Sequence, residues 1–235
     1  SRGRPMINLL QLDEGEWVTS ILPLEETTEQ RYIVMATANG YVKKTDLSSF
    51  APRSAGLRAI LLGEGDLLVG TAITDGEQDV MLFSSEGKAV RFSGSTVRAM
   101  GRASRGVRGI NLAEGHRMIS LLVPDERGTV LTVSENGYGK RTAVEDFPTK
   151  GRGGKGVIAM ASSERNGKLV GAKLVLPGDE LMLISNLGTL VRTSAGEISR
   201  LGRNTQGVRI IRTRAGEHLV QVERIADTGE EAADE

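Results

Sequence analysis

Basic side chains recur at fixed positions in this sequence. A lysine or arginine stands four residues after each of four turn glycines, at Lys44, Arg91, Arg141 and Arg192. A second basic position lies four residues before another recurring glycine, at Arg102, Arg152 and Arg203, with Arg53 displaced by one residue in a shorter loop. Cations repeated at constant spacing are typical of a surface that binds a chain of phosphates, since a row of positive charges can follow a polyanion.

Catalytic chemistry has no comparable signal. No Ser/His/Asp or His/Glu grouping has a recognisable spacing, and the chain has no cysteine. His116 and His218 each follow a recurring glycine and are predicted to be surface turn residues. Residues 151–156 match G-x-G-x-x-G, but no helical pattern follows them, so a dinucleotide site is not predicted. We expect no metal and no cofactor in this region.

The glycines that precede these cations belong to an internal repeat. Gly40, Gly87, Gly137 and Gly188 are spaced 47, 50 and 51 residues apart. Two further series keep the same period, one at Gly3, Gly56, Gly106, Gly156 and Gly207, the other at Gly15, Gly65, Gly115, Gly167 and Gly216. Three series at one period indicate a repeat protein of about 50 residues per unit.

Each unit is predicted to contain four short strands. Asn39-Gly40 separates two β-rich runs, Tyr32–Thr37 and 41–45, and predicts a type I′ hairpin, as does Asn136-Gly137. The turns at Gly87 and Gly188 lack the asparagine and are expected to be looser. Apolar runs at 57–62, 107–112, 157–160 and 208–211 predict a third strand, and 67–73, 118–123, 169–176 and 219–225 a fourth. The fold class is therefore all-β, a propeller-like disc of four-stranded blades.

The repeat divides the 235 residues into unequal parts. We expect the second half of an upstream blade in residues 1–30, an acidic tail in 226–235, and whole blades at 31–78, 79–128, 129–179 and 180–225. A chain that begins within a blade is expected to be part of something longer. Neither a membrane span nor a signal peptide is indicated, and the absence of cysteine fits the cytoplasm.

Charge is sorted by position within the repeat. The formal net charge is zero, but the tail holds five acids and no base, which leaves 30 basic and 25 acidic residues elsewhere. Residues 87–110 hold six bases and no acid, and 198–214 hold five bases and no acid, whereas 64–79 hold five acids and no base. Because equivalent segments lie on the same rim of a propeller, this pattern predicts a basic band. Solubilising surface charge is the plainer alternative, but it does not explain the sorting.

Duplex DNA is the polyanion that the composition favours. Aromatic residues make up 3% of the chain, fewer than the stacking of unpaired bases would use. Backbone contacts to a duplex need only cations. The predicted DNA-binding residues are Lys44, Arg53, Arg58, Arg91, Arg98, Arg102, Arg105, Arg108, Arg141, Lys150, Arg152, Lys155, Arg192, Arg200, Arg203 and Arg209.

Several segments resemble one known family over nearly the whole chain. Residues 35–45 (MATANGYVKKT), 97–101 (VRAMG), 136–143 (NGYGKRTA) and 202–207 (GRNTQG) are similar to the C-terminal domain of the bacterial DNA gyrase A protein. The family's hallmark box, Q-R-R-G-G-K-G, is expected upstream of residue 1. Residues 150–156 keep R-G-G-K-G and are interpreted as a degenerate equivalent.

The resemblance implies a fold and a function. The implied fold is a β-pinwheel, and the implied function is to wrap duplex DNA around a basic rim, so that the parent type II topoisomerase introduces negative supercoils. The parent would combine two A-type and two B-type subunits, use ATP and Mg²⁺, and carry its catalytic residues outside this region. Two alternatives remain: the C-terminal domain of the A-type protein of topoisomerase IV, and a propeller that binds protein through its loops.

Overall fold

The computed structural model describes residues 12, 14–24, 29–50 and 56–227, which form fifteen β-strands. The strands are β1 (Tyr32–Thr37), β2 (Tyr41–Asp46), β3 (Leu68–Thr74), β4 (Asp79–Ser84), β5 (Lys88–Ser93), β6 (Val107–Arg108), β7 (Met118–Leu122), β8 (Thr129–Ser134), β9 (Tyr138–Ala143), β10 (Val157–Ile158), β11 (Leu169–Val175), β12 (Glu180–Ser185), β13 (Leu190–Ser194), β14 (Val208–Arg209) and β15 (Leu219–Ile225). Short 3₁₀ turns follow β2, β5, β9 and β13.

The strands form four antiparallel sheets arranged as the blades of a propeller, which confirms the predicted fold class. From the inner to the outer strand, blade 1 is β3-β1-β2-β6, blade 2 is β7-β4-β5-β10 and blade 3 is β11-β8-β9-β14. Blade 4 is β15-β12-β13. The outer strand of blades 1 to 3 therefore comes from the following sequence repeat, an exchange that the repeat pattern did not predict.

These outer strands are shorter than predicted. The apolar runs at 107–112, 157–160 and 208–211 are strands only over their first two residues, and 57–62 contains no strand. Beyond those two residues the chain bonds to the hairpin turn of the blade that the outer strand completes. The N–H groups of Ile210 and Ile211, for example, both donate to the carbonyl of Gly137. The apolar residues thus pack under a turn and do not extend a sheet.

The four hairpin turns have the same hydrogen bond, and none is a type I′ turn. In each, the N–H of the glycine donates to the carbonyl three residues earlier, as from Gly87 to Ser84 and from Gly188 to Ser185. No residue other than glycine has a positive φ in the described chain, so Asn39 and Asn136 are not left-handed. Type I′ was therefore the wrong prediction, as was the looser turn at Gly87 and Gly188. In these three-residue loops only the glycine has a left-handed conformation, so the residue directly before the glycine can be Asn, Glu or Leu.

Apolar side chains fill the spaces between adjacent blades. One cluster joins blades 1 and 2 through Val34, Leu82 and Phe92, and another joins blades 3 and 4 through Leu131 and Leu183. Between blades 2 and 3, Phe83 meets Phe147 edge to face, with 6.0 Å between ring centroids. The hairpin strands of blades 1 to 3 are largely buried on both faces, so their cations lie between covered surfaces as well as at the rim. β13 of blade 4 has no buried residue.

The inner strands β3, β7, β11 and β15 surround a central cavity of about 480 Å³, together with residues 18–21. Ser20 hydrogen-bonds Thr71 there, and Lys173 pairs with Glu223. No helix in the described residues is long and apolar enough to cross a membrane. The inner strands fix the centre of the molecule, and the basic segments consequently lie at the opposite edge of each sheet.

Candidate nucleic-acid interface

Three segments, which we call the basic loops, connect each hairpin to the outer strand of the preceding blade. They comprise residues 97–106, 147–156 and 198–207. Each ends at a glycine with positive φ, where a side chain would collide with the main chain of the preceding blade: a Cβ on Gly156 would clash with the carbonyl oxygen of Ala89. The glycines therefore let the loops lie directly on the outer hairpin strands.

Tyr41 stacks with two arginines at the outer edge of blade 1. The Cζ atoms of Arg105 and Arg108 lie 4.2 Å and 4.4 Å from the ring centroid, within cation–π range. Arg108 also donates to the Tyr41 hydroxyl at 3.1 Å and to the Asn39 carbonyl at 2.8 Å. Neither arginine pairs with a carboxylate in the described residues, so their positive charge is not neutralised.

Tyr138 repeats this arrangement on blade 3. Arg165 and Arg209 lie with their Cζ atoms 4.5 Å and 5.1 Å from its ring centroid, and Arg209 donates to its hydroxyl at 2.6 Å. Hydrogen bonds from Arg165 and Arg209 lower the pKa of the Tyr138 hydroxyl, because they favour the phenolate. Arg165 was not among the sequence-predicted residues. A tyrosine directly after the turn glycine in two repeats was the signal available.

Two of the basic residues four positions after the turn glycines, Lys44 and Arg141, point towards the next blade. Lys44 is 6% exposed, and its ammonium donates to the carbonyls of Gly76 (2.7 Å) and Gly94 (2.9 Å). Arg141 likewise donates to the carbonyls of Ile198 at 2.7 Å and Gly196 at 3.2 Å. Their main-chain carbonyls also accept the N–H groups of Met100 and Leu201. These side chains join consecutive blades and hold the start of a basic loop.

Arg91 and Arg192 occupy the same position in blades 2 and 4. Arg91 pairs with Asp79 at 2.7 Å and donates to the carbonyls of Val144 and Phe147. Arg192 is exposed and pairs with Glu180. The DNA contacts predicted for this repeated position remain predictions. The ammonium of Lys44 is buried against carbonyl groups, so this lysine is not part of the exposed interface.

Two of the arginines four residues before the loop-ending glycines, Arg152 and Arg203, also contact a neighbouring blade. Arg152 donates to the carbonyls of Thr96 (3.1 Å) and Arg108 (3.2 Å). Arg203 donates to those of Asp146 at 3.0 Å and Ile158 at 2.6 Å, one repeat further on. Each guanidinium retains further N–H groups, so these residues hold the loop and remain able to donate outwards.

The other predicted residues are mostly exposed cations. Arg58, Arg98, Lys150 and Lys155 are exposed and form no ion pair or side-chain hydrogen bond with any described residue. Arg102 is half-buried, and Arg200 lies 3.7 Å from Glu145. Arg53 lies outside the described residues. Among the described residues, no three His, Asp or Glu side chains group to hold a metal ion.

The fold and these contacts define a class of protein, a β-propeller of exchanged blades whose outer edge carries several arginines that pair with no carboxylate of the described residues. The chain belongs to the family described as DNA gyrase C-terminal domain, beta-propeller, whose model matches residues 31–75, 78–125, 128–175 and 179–226.

Curated proteins of similar sequence are DNA gyrase A proteins, consistent with this family. The chain is 53% identical over 232 residues to the DNA gyrase A protein of Escherichia coli K12 and 52% identical over 228 residues to that of Salmonella typhimurium. The alignments cover 98% and 97% of this chain and 26% of each relative. The chain thus spans about a quarter of the length of the curated relatives it matches.

Solved structures give the same fold. A DNA gyrase A C-terminal domain superposes with a TM-score of 0.84 at 28% identity, covering 96% of this chain and 76% of that one. The C-terminal domain of a DNA topoisomerase IV superposes with a TM-score of 0.86 at 24% identity, covering 95% and 70%. At 24% identity, the comparison with the topoisomerase IV domain supports a shared fold alone.

Proposed function

We propose that this chain binds duplex DNA along the outer edge of its blades and bends it, as the DNA-wrapping part of a gyrase A protein. The observation that carries the proposal is the pair of arginine–tyrosine–arginine stacks at Tyr41 and Tyr138. They place four guanidiniums on the outer edges of blades 1 and 3 without carboxylate partners among the described residues. Contact with the ring orients each guanidinium, and a guanidinium has five N–H donors, more than these contacts use, so donors remain for phosphate oxygens.

The exposed residues of the basic loops extend these two sites towards each other. Lys150 and Lys155 lie in the loop that crosses onto blade 2, which follows the blade of one stack and precedes the blade of the other. Smoothly bending 20–30 bp of DNA by 40–90° costs about 1–6 kcal/mol. Phosphate contacts made along successive blades release counterions and offset that cost. Contacts to phosphate oxygens carry no information about the bases, so binding is expected to depend little on the DNA sequence.

The family suggests the larger setting. We propose that the parent protein is a bacterial, cytoplasmic type II topoisomerase in which two A-type and two B-type subunits work together with ATP and Mg²⁺. Wrapping by this region would bias strand passage towards negative supercoiling. The two curated relatives described above are both DNA gyrase A proteins, which favours gyrase over topoisomerase IV.

A ligation experiment tests the wrapping. A singly nicked circular plasmid is incubated with increasing amounts of the chain and sealed with DNA ligase. After deproteinisation, the topoisomers are resolved on a chloroquine gel. We expect the positive handedness that the gyrase resemblance implies, so the topoisomer distribution should move towards positive linking difference as protein increases. Binding without any shift in the distribution would refute wrapping by this chain, and absence of binding would refute the whole proposal.

A further inference from the structure

Two of the three basic loops lie over a buried lysine. The side chain of Lys140, on β9, is fully buried, and its ammonium donates to the carbonyls of Gly202 at 2.8 Å, Arg203 at 2.5 Å and Thr205 at 3.0 Å. Its three donors thus join three residues of the loop 198–207. No carboxylate of the described chain pairs with this ammonium, so the loop carbonyls are its main compensation for burial.

Lys43 makes the equivalent contact in blade 1. It is fully buried on β2, and its ammonium donates to the carbonyl of Arg102 in the loop 97–106 and to that of Ala59 at 2.5 Å. Arg102 and Arg203 occupy the same position, four residues before the loop-ending glycine. Burial is the main cause that lowers the pKa of both lysines to about 8, so both are charged at neutral pH.

The third basic loop has no such lysine. Val90 stands on β5 at the position of Lys43 and Lys140, three residues after the turn glycine. A cavity of about 190 Å³ lies there, lined by Val90, Lys150, Gly151 and residues 154–157 among others. Within the described residues, no side-chain donor reaches the carbonyls of Gly151 and Arg152, which correspond to those that Lys140 binds. The space that the lysine fills elsewhere is open in blade 2.

We propose that Lys43 and Lys140 are positioning residues that hold the basic loops 97–106 and 198–207 in the shape that contacts phosphates, whereas the loop 147–156 adjusts when DNA binds. The inference rests on the proposed function for its DNA contacts, but the fixing of the loops is a property of the free protein. A loop fixed before binding loses less conformational entropy on forming the complex. The chain would therefore combine two preformed contact sites with one adaptable site between them.

The sharpest test adds the missing lysine. Val90→Lys is expected to slow amide hydrogen exchange at residues 150–156 by roughly tenfold, which corresponds to one added charge-assisted hydrogen bond. Val191→Lys is the matched control, because Val191 has the equivalent position on β13 and no basic loop of the described chain covers that strand. Lys140→Met, which keeps a long apolar side chain, is expected to speed exchange at residues 200–206 by a similar factor.

The DNA readout is the dissociation constant for a 30-bp duplex, measured by fluorescence anisotropy at one salt concentration on the same proteins. Val90→Lys is expected to bind severalfold more tightly than the unmodified chain, and Val191→Lys equally well. Unchanged exchange in a folded Val90→Lys protein would overturn the proposal. Slower exchange with no gain in affinity would overturn the positioning role. Failure of the proposed function itself would instead show as absence of binding by the unmodified chain.

Discussion

Lys43 and Lys44 are neighbours on β2, yet their ammonium groups lie on opposite sides of the strand. Lys43 reaches the loop that crosses blade 1, while Lys44 reaches carbonyls near the 3₁₀ turn of blade 2. Successive side chains of a strand alternate between its faces, and both faces of these hairpins are covered. Sequence spacing identified Lys44 as part of a basic series, but the residue type does not say whether its partner is a phosphate or a carbonyl.

The lowered pKa of Lys140 predicts a pH dependence of stability. Its folded pKa is about 8, below the ordinary 10.5, because burial and the nearby Arg203 disfavour the charged form, while Asp146 opposes them. Between these values the unfolded chain binds more protons, so this group's contribution to the free energy of unfolding rises as pH increases from 8 to 10.5. Urea unfolding of the unmodified protein and of Lys140→Met at about pH 7.5 and about pH 9.5 measures the difference.

The expected result is that the unmodified protein gains more stability between the two pH values than Lys140→Met does. The buried Lys43 shifts in the same direction and remains in both proteins, so it cancels in the comparison. An equal change in the two proteins would mean that Lys140 titrates near its ordinary pKa, with its charge accessible to solvent.

The exchanged outer strands β6, β10 and β14 connect each blade to the one that follows it in the chain. β6, β10 and β14 each pair over two residues only, so backbone pairing by itself is a weak connection. Side-chain donation across the blade boundary supplements it, from Lys44, Arg91 and Arg141 to carbonyls of the following blade. A strand of two residues has too little alternation to be read from a sequence, which is why longer strands were predicted there.

Arg141→Met tests the connection between blades 3 and 4. Removing the guanidinium leaves the carbonyls of Ile198 and Gly196 without their side-chain donor, and we expect a loss of about 1–3 kcal/mol in the free energy of unfolding. Chemical denaturation monitored by circular dichroism gives this quantity.

Arg192→Met provides the matched comparison, since Arg192 has the same repeat position but is exposed and pairs only with Glu180 among the described residues. An exposed ion pair contributes about 0–1 kcal/mol, so the second variant should remain close to the unmodified protein. Equal losses in both variants would show that the position matters for a reason other than contact with the next blade.

For the whole molecule, repetition places equivalent cations on the same edge of successive blades. Arg105, Arg108 and Arg209 lie at outer strands or at the loops that lead to them, whereas Lys173 faces the central cavity and pairs with Glu223. The overall charge of zero therefore does not describe the surface that a polyanion would meet. Salt screens charges beyond a Debye length of about 8–10 Å, so the attraction of DNA to this edge depends on the unpaired charges close to it.

Salt dependence distinguishes this edge from basic residues elsewhere. Arg105→Ala is expected to weaken binding to duplex DNA and to reduce the slope of log K against log salt concentration by about 0.9, the value for one phosphate contact. Arg127→Ala removes the same charge from an exposed arginine that pairs with Asp125 in the turn between β7 and β8. Its slope should equal that of the unmodified protein.

Titrations by fluorescence anisotropy between about 50 and 200 mM salt, the range over which such contacts are resolved, provide both slopes. If the two substitutions reduce the slope equally, net charge alone controls binding and the outer edge has no special role. If neither changes it, the contacts lie on another surface of the propeller.

The sequence by itself determined the period of about 50 residues, the hairpin and inner strands and the propeller class, because these depend on local glycine spacing and alternation of apolar residues. The family followed from the resemblance of segments such as 35–45 and 136–143. Only the tertiary structure decided which cations remain free. Lys44 and Arg141 belong to the same basic series as the exposed Arg192, yet they donate to a neighbouring blade. Arg165 joins Tyr138 from 27 residues away along the chain, a distance that no periodic pattern encodes. Contacts between blades depend on which faces the fold brings together, and one-dimensional spacing does not record them.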